Sequence, residues 1–147
     1  MFNFERHFSM NERSHHALSL AARILIATLF LPAGLGKLAG FAGTVGYIAS
    51  MGLPLPQWGA ALAVVVEVGG GLALLLGYQT RWVSWALALF TLVAGALFHA
   101  FWNAAPDQLM VQQIMFMKNL SIAGGLLALS ALGAGGWSLD ARRADSV

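Results

Sequence analysis

WGAALAVVVEVGGGLALLLG, residues 58–77, is a run of 20 residues in which Glu67 is the only charge. An α-helix rises about 1.5 Å per residue and needs roughly 20 mainly apolar residues to cross about 30 Å of hydrocarbon, so this stretch is long enough to span a bilayer. A membrane β-strand would alternate apolar and polar positions, and no such alternation runs through it. Three further stretches have the same character: residues 17–36, 82–102 and 109–132. Together the four cover most of a chain of 147 residues that is 59% hydrophobic and 10% charged, too apolar for a soluble domain of that length. The expected fold is all-α, a four-transmembrane-helix bundle over residues 17–132, flanked by tails at residues 1–16 and 133–147.

The connections add detail. Residues 38–57 are too many for a plain link, and Phe41, Val45, Ile48 and Met51 recur at helical spacing before the breaker run Gly52-Leu53-Pro54-Leu55-Pro56. They predict a short interfacial helix between spans one and two. Residues 77–81 form a tight turn, which makes spans two and three antiparallel neighbours. Glycines 69–71, 124 and 125 are expected to let helix backbones approach closely in lipid.

Basic residues distribute unevenly. Arg6, Arg13, Arg81, Arg142 and Arg143 fall on one side of the membrane if four spans alternate, while residues 103–108 have no Lys or Arg. The positive-inside rule therefore places both termini in the cytoplasm. Span one is read as a retained helix and not a cleaved signal peptide, because its apolar run exceeds the ~7 to 15 residues of a signal core. Trp58, Trp82, Trp102 and Tyr78 fall near helix ends, where amphipathic rings anchor depth.

Several chemistries are disfavoured. The chain has no cysteine, so it carries no disulfide, thiolate metal site or dithiol redox pair of its own. No histidine besides His99 lies inside a span, which does not support a bis-histidine haem, and His7, His15 and His16 read as solvated tail residues, not as a metal site. The eight Lys and Arg are scattered, without the basic run that grips nucleic acid.

Charges inside the spans are the candidates for function. Arg23 lies in span one with Lys37 at its end, Glu67 in span two, His99 in span three and Lys118 in span four, followed by Asn119. A charge at the bilayer centre costs about 2.5 to 3.5 kcal/mol on the insertion scale, so such residues face the bundle interior and pair. Glu67 lies near mid-depth, and Arg23 is expected to be its structural ion-pair partner, with Lys118 as the other choice. Lys37, Glu67, His99, Lys118 and Asn119 are expected to line a ligand site in the outer half, with Gln113 adding a further polar group. Pro32 removes a backbone hydrogen bond at Thr28, which either lines that site or simply kinks span one.

The ordered series of motifs is recognisable: Ala22-Arg23, Gly34-Leu35-Gly36-Lys37, Gly52-Leu53-Pro54, Glu67 before Gly69-Gly70-Gly71, Phe98-His99-Ala100-Phe101-Trp102, and Phe116-Met117-Lys118-Asn119-Leu120 before Gly124-Gly125-Leu126-Leu127. In this order and spacing, over residues 18–132, it resembles the DoxX family of small four-helix bacterial inner-membrane proteins. The resemblance implies a bundle in the cytoplasmic membrane and an association with redox biology, as quinone-linked oxidoreductase subunits or partners of oxidative-stress enzymes. It carries the family's polar positions onto Arg23, Lys37, Glu67, His99, Lys118 and Asn119 without assigning their roles.

Two functions follow from this. In the first, the chain is an accessory membrane subunit, its interior site binding a quinone and its surface recruiting a redox partner protein, since no haem, metal or flavin motif makes it a complete oxidoreductase. In the second it is a non-enzymatic scaffold or small-solute carrier, with homo-oligomerisation supplying a path and the buried charges serving structure.

Overall fold

The computed structural model describes residues 11–144, and the regular elements among them are all helical. α1 (Glu12–Ala39) begins earlier than hydropathy predicts, because Asn11 caps it by accepting from the Arg13 N–H at 3.4 Å and Glu12 places an acid in its first turn. It runs unbroken through Pro32. α2 (Phe41–Ser50) is the short helix expected between spans one and two, and it ends where Gly52 takes a φ of 71°.

The second span is built from α3 (Pro56–Val64), one π-helical turn (Val65–Gly69) and α4 (Gly70–Leu76). A π turn carries one residue more than an α turn and is most often found where a helix presents functional groups, and here it carries Glu67. α5 (Thr80–Phe98) forms most of the third span, and a 3-10 turn at Phe101–Asn103 follows its break at His99. α6 (Leu109–Leu132) has the boundaries read from its apolar run, and α7 (Leu139–Ala144) is a short amphipathic addition. Among the described residues 4 helical stretches are long and apolar enough to cross a membrane.

α1 packs along the second span and α5 along α6, while α4 against α5 and α1 against α6 close the ring. The start of α1, the 77–79 turn and residues 133–144 share one end, called basal below; α2, the 51–55 link and residues 99–108 share the distal end. The apolar core of Phe30, Leu74, Leu87, Ala88, Ala123, Leu126 and Leu129 fills the basal half. Gly34 sets the distance between α1 and the π turn: a Cβ there would lie 2.7 Å from Val68 Cγ2 and 2.9 Å from Glu67 Cβ. Of the other span glycines, 70 and 71 press against Leu87 and Leu31, whereas 69, 124 and 125 meet nothing within 4 Å in the chain, so the close approach expected of these three is not made here.

At the basal end the described parts of the two expected tails, residues 12–16 and 133–144, have structure of their own. Residues 12–16 are helix, and residues 133–144 fold back onto the bundle. Ser19 Oγ donates to the Gly133 carbonyl at 2.7 Å, and the Gly136 N–H donates to His16 Nδ1 at 2.9 Å. His16 is thus a structural acceptor and not a freely solvated residue. Asp140 accepts the N–H groups of Gln79 at 2.6 Å and Thr80 at 2.9 Å, capping α5 from across the chain. That pair of bonds holds Gln79 in the left-handed region, at a φ of 45°. Trp58 and Trp82 are exposed near helix ends, and Tyr78 lies 4.7 Å beneath the Arg143 guanidinium. The expectations for Arg6 and His7 lie outside the described residues.

Candidate functional site

The distal half of the bundle holds a cavity of about 570 Å³ where the basal half holds packed core. Every span contributes to its wall, α2 covers one side, and the lining is mostly apolar. Lys37, Glu67, His99, Lys118 and Asn119, the five residues proposed from sequence for a ligand site, all line it. Arg23 does not.

Arg23 is fully buried at the basal end. Its Nη1 donates to the carbonyls of Leu74 at 3.3 Å and Leu75 at 3.2 Å, and its Nη2 donates to the carbonyl of Trp137. Helix C-termini leave carbonyls without intrahelical partners, and a guanidinium is well matched to several at once. Gly77 leaves the space: with a φ of 65°, it ends α4, and a Cβ there would collide with Arg23 Nη1 and with Ser138. The expected ion pair between Arg23 and Glu67 therefore does not form. Arg23 ties the second span and residues 133–138 to the first.

Glu67 pairs instead with Lys37, whose Nζ lies 2.9 Å from Oε1 and 2.8 Å from Oε2. The direction of helical side chains explains both outcomes. A Cα–Cβ bond tilts toward the N-terminus of its helix, so long side chains reach back over the preceding turn. α1 starts at the basal end, so Arg23 and Lys37 both reach basally; the second span starts at the distal end, so Glu67 reaches distally. Lys37 above and Glu67 below converge, one turn from the close contact at Gly34, whereas Arg23 and Glu67 point apart. Glu67 is nearly buried, its side chain 8% exposed, and Lys37 is a third exposed at 33%.

His99 caps the end of α5, and its ring contacts Gln112: Nδ1 and Oε1 are 2.9 Å apart. With the Gln112 oxygen accepting, Nδ1 carries the proton and Nε2 of the neutral ring is an acceptor. Sequence reasoning chose Gln113, which lines a separate outer groove with Ile114, Met117 and Ser121. The signal for Gln112 was available in the helical spacing 112, 115, 119, 122, which puts it on the face of Asn119 that turns to the cavity. Asn119 sits in space left by Gly95, where a Cβ would lie 3.1 Å from its own Cβ, and its amide makes no hydrogen bond within the described residues. Among the described residues Lys118 Nζ has one hydrogen-bond partner, the Met115 sulfur at 3.7 Å.

Tyr47 and Phe98 stack at 5.6 Å over the distal side of the cavity, and Phe101, Trp102 and Phe116 form an edge-to-face cluster with centroids 5.2 to 5.5 Å apart beside it. Sequence reasoning missed Tyr47 and Thr44 because α2 was read only as an interfacial element. Among the described residues no group of three or more His, Cys, Asp or Glu could hold a metal ion. The polar groups of the cavity are hydrogen-bonding and charged side chains set in a mostly apolar wall.

Comparison with known proteins gives concordant findings. The DoxX family model matches residues 18–100. Inner membrane protein YqjF of Escherichia coli strain K12 is 46% identical over 124 residues, 82% of this chain and 88% of that protein. Inner membrane protein YphA of the same organism is 40% identical over 125 residues, 85% of this chain and 89% of the relative. The ER-derived vesicles protein ERV29 of Saccharomyces cerevisiae is 28% identical over 138 residues, 92% of this chain and 36% of that protein. No solved structure matches the chain.

Proposed function

The chain belongs to the DoxX family, and from that premise we propose that it is an accessory subunit of a membrane redox system whose distal cavity takes the head of a small lipid-soluble molecule, a quinone being the leading case. The observation that carries this reading is convergence: five polar side chains from four spans turn into one largely apolar cavity of about 570 Å³, within the ~300 to 1,000 Å³ typical of small-molecule sites. A quinone carbonyl accepts hydrogen bonds, and Lys118 and Asn119 have donors to give. Reduction of a quinone consumes two electrons and two protons. His99 and the Lys37–Glu67 pair border the cavity as groups able to pass protons, and the electrons come from a partner protein bearing the redox cofactor.

The membrane is the inner membrane, by analogy with YqjF and YphA, and the basal end is its cytoplasmic face. Arg13, Arg81, Arg142 and Arg143 gather at that end, while residues 40–55 and 99–108 at the distal end contain no Lys or Arg. The alternative of a scaffold or carrier draws support from Arg23, whose hydrogen bonds among the described residues go to backbone carbonyls and tie helices together.

The test is extraction of bound quinone from protein purified in mild detergent, comparing the native chain with Ala94→Phe, which fills the cavity without touching a charge. Quinone is expected in the organic extract of the native protein and lost from the variant. Equal amounts from both, or none from either, would reject the reading.

A further inference from the structure

The cavity is electrically unbalanced. Glu67, the one acidic residue in the four spans below their first turns, has both oxygens engaged by Lys37. Lys118 is then left with no carboxylate and only the Met115 sulfur at 3.7 Å, a weak acceptor. It lies nine positions on from Leu109, about 13 to 14 Å along α6 from its distal end and so within the distal half of that span. A lysine stem of four carbons does not bring its ammonium from there to the headgroup level. A charged ammonium within the span is costly unless it is solvated or paired, and no described side chain offers Lys118 a carboxylate.

Position shows where the anion would come from. Lys118 and Ile122 line both the interior cavity and the outer groove formed with Gln113, Ile114, Met117 and Ser121. Lys118 thus stands on the wall between the bilayer-facing surface and the interior, beside the unbonded amide of Asn119.

We propose that the cavity selects amphiphiles whose head is anionic when bound, a carboxylate or an acidic hydroxyl on an apolar body, with Lys118 as its counter-ion and Asn119 as a second donor. This deepens the reading of the cavity as a ligand site and rests on it. Within that reading it favours lipid-soluble molecules that present an oxyanion when bound, a quinone bearing an acidic hydroxyl included, and it assigns Lys118 a specificity-determining role that Lys37, already paired, does not share. The molecule enters from the bilayer past Lys118, its apolar body following into the cavity lined by Leu29, Phe90 and Leu97.

The experiment uses the full chain in phosphatidylcholine nanodiscs, with concentrations referred to the bilayer and thermal unfolding recorded on each preparation. Dodecanoate, dodecanol and a neutral decyl-quinone compete for binding, and a parallel arm adds phosphatidylglycerol to ask whether an anionic lipid is the source. Dodecanoate is expected to bind at least about tenfold more tightly than dodecanol, equivalent to about 1.4 kcal/mol. Lys118→Met should remove that preference, and Lys118→Arg, which keeps the charge, should retain it, so misfolding is separated from loss of the counter-ion. Loss of dodecanoate binding when phosphatidylglycerol is present also supports the proposal and identifies the lipid as the occupant. Dodecanol or the neutral quinone binding as tightly as dodecanoate would overturn the anion and leave the cavity reading standing. No binding of any probe would overturn both, and a preference for dodecanoate that survives in Lys118→Met would remove Lys118 from the role.

Discussion

Replacing Lys37 by Met should destabilise the bundle more than replacing Glu67 by Gln, and the two changes together should cost less than their sum. The two Nζ to oxygen distances, 2.9 and 2.8 Å, make the carboxylate doubly bonded to one ammonium. Removing one member of a buried pair typically costs about 3 to 5 kcal/mol, because the other is left charged and without a partner. That figure applies to Glu67, whose side chain is 8% exposed and whose backbone is fixed in the π turn against Gly34. Lys37 at 33% exposure can swing its ammonium toward the distal surface when Glu67 is neutralised, so the cost of Glu67→Gln is discounted to roughly 1 to 2 kcal/mol. The pair of substitutions leaves no orphan charge and should cost about 1 kcal/mol, a coupling of about 3 to 6 kcal/mol. Reversible unfolding in mixed detergent micelles, followed by loss of helical circular dichroism for all four members of the cycle, measures it. The same cycle with Arg23→Met in place of Lys37→Met serves as the control and should be additive within ~0.5 kcal/mol. Additivity in the Lys37 cycle, or strong coupling in the Arg23 cycle, would refute the assignment of partners.

Three further outcomes are expected. Asp140→Asn removes the charge-assisted bonds to the Gln79 and Thr80 N–H groups and should cost about 1 to 2 kcal/mol in the same unfolding assay, with earlier proteolysis after residue 132 as a second readout. Gly34→Ala inserts a Cβ within 3 Å of the π turn and should cost about 1 to 3 kcal/mol, whereas Gly125→Ala, with nothing within 4 Å, should stay within ~0.5 kcal/mol. Single cysteines introduced into this cysteine-free chain at Gln79 and Ala105 should differ in labelling by a membrane-impermeant maleimide in intact cells, with Ala105→Cys labelled and Gln79→Cys protected; the reverse pattern would invert the orientation.

The spans were legible because length and apolarity are local properties: α6 occupies the residues its apolar run marks out, and α2 follows the spacing of Phe41, Val45 and Ile48. That Lys37, Glu67, His99, Lys118 and Asn119 border one cavity was also legible, since polar residues in spans tend to turn away from lipid, although Arg23 does so at the other end of the bundle. Three things were not. The partner of Glu67 was judged from Cα depth alone, which ignores that Lys37 reaches back along α1. The docking of residues 133–144 depends on bonds such as Asp140 to Thr80 and Ser19 to Gly133, whose partners lie 60 and 114 residues apart and leave no periodic trace. The π turn has no pattern of its own, because a one-residue insertion in an apolar helix changes which residues face inward without changing their composition.

Side-chain direction also explains why, among the described residues of the spans, Lys118 has no carboxylate partner. In an antiparallel bundle, long side chains on adjacent helices reach toward opposite ends, so an acid and a base on neighbouring spans meet only when each starts on the far side of the other. Lys37 and Glu67 satisfy this, because α1 starts basally and the second span starts distally. Arg23 fails it by lying basal of Glu67, and finds carbonyls at the end of α4 instead. Lys118 belongs to α6, which starts distally like the second span, so its ammonium and the Glu67 carboxylate extend in parallel and nothing brings them together. At the basal end Arg23 Nε and the buried hydroxyls of Thr80 and Ser84 have no partner among the described residues, while Arg23 donates to three carbonyls and Asp140, Ser19 and Ser138 have partners within the protein. At the distal end Lys118 and Asn119 do not have comparable ones, and they border open volume. The two halves thus differ in kind: the hydrogen bonds that join distant parts of the chain gather basally, and the polar groups that border open volume lie distally.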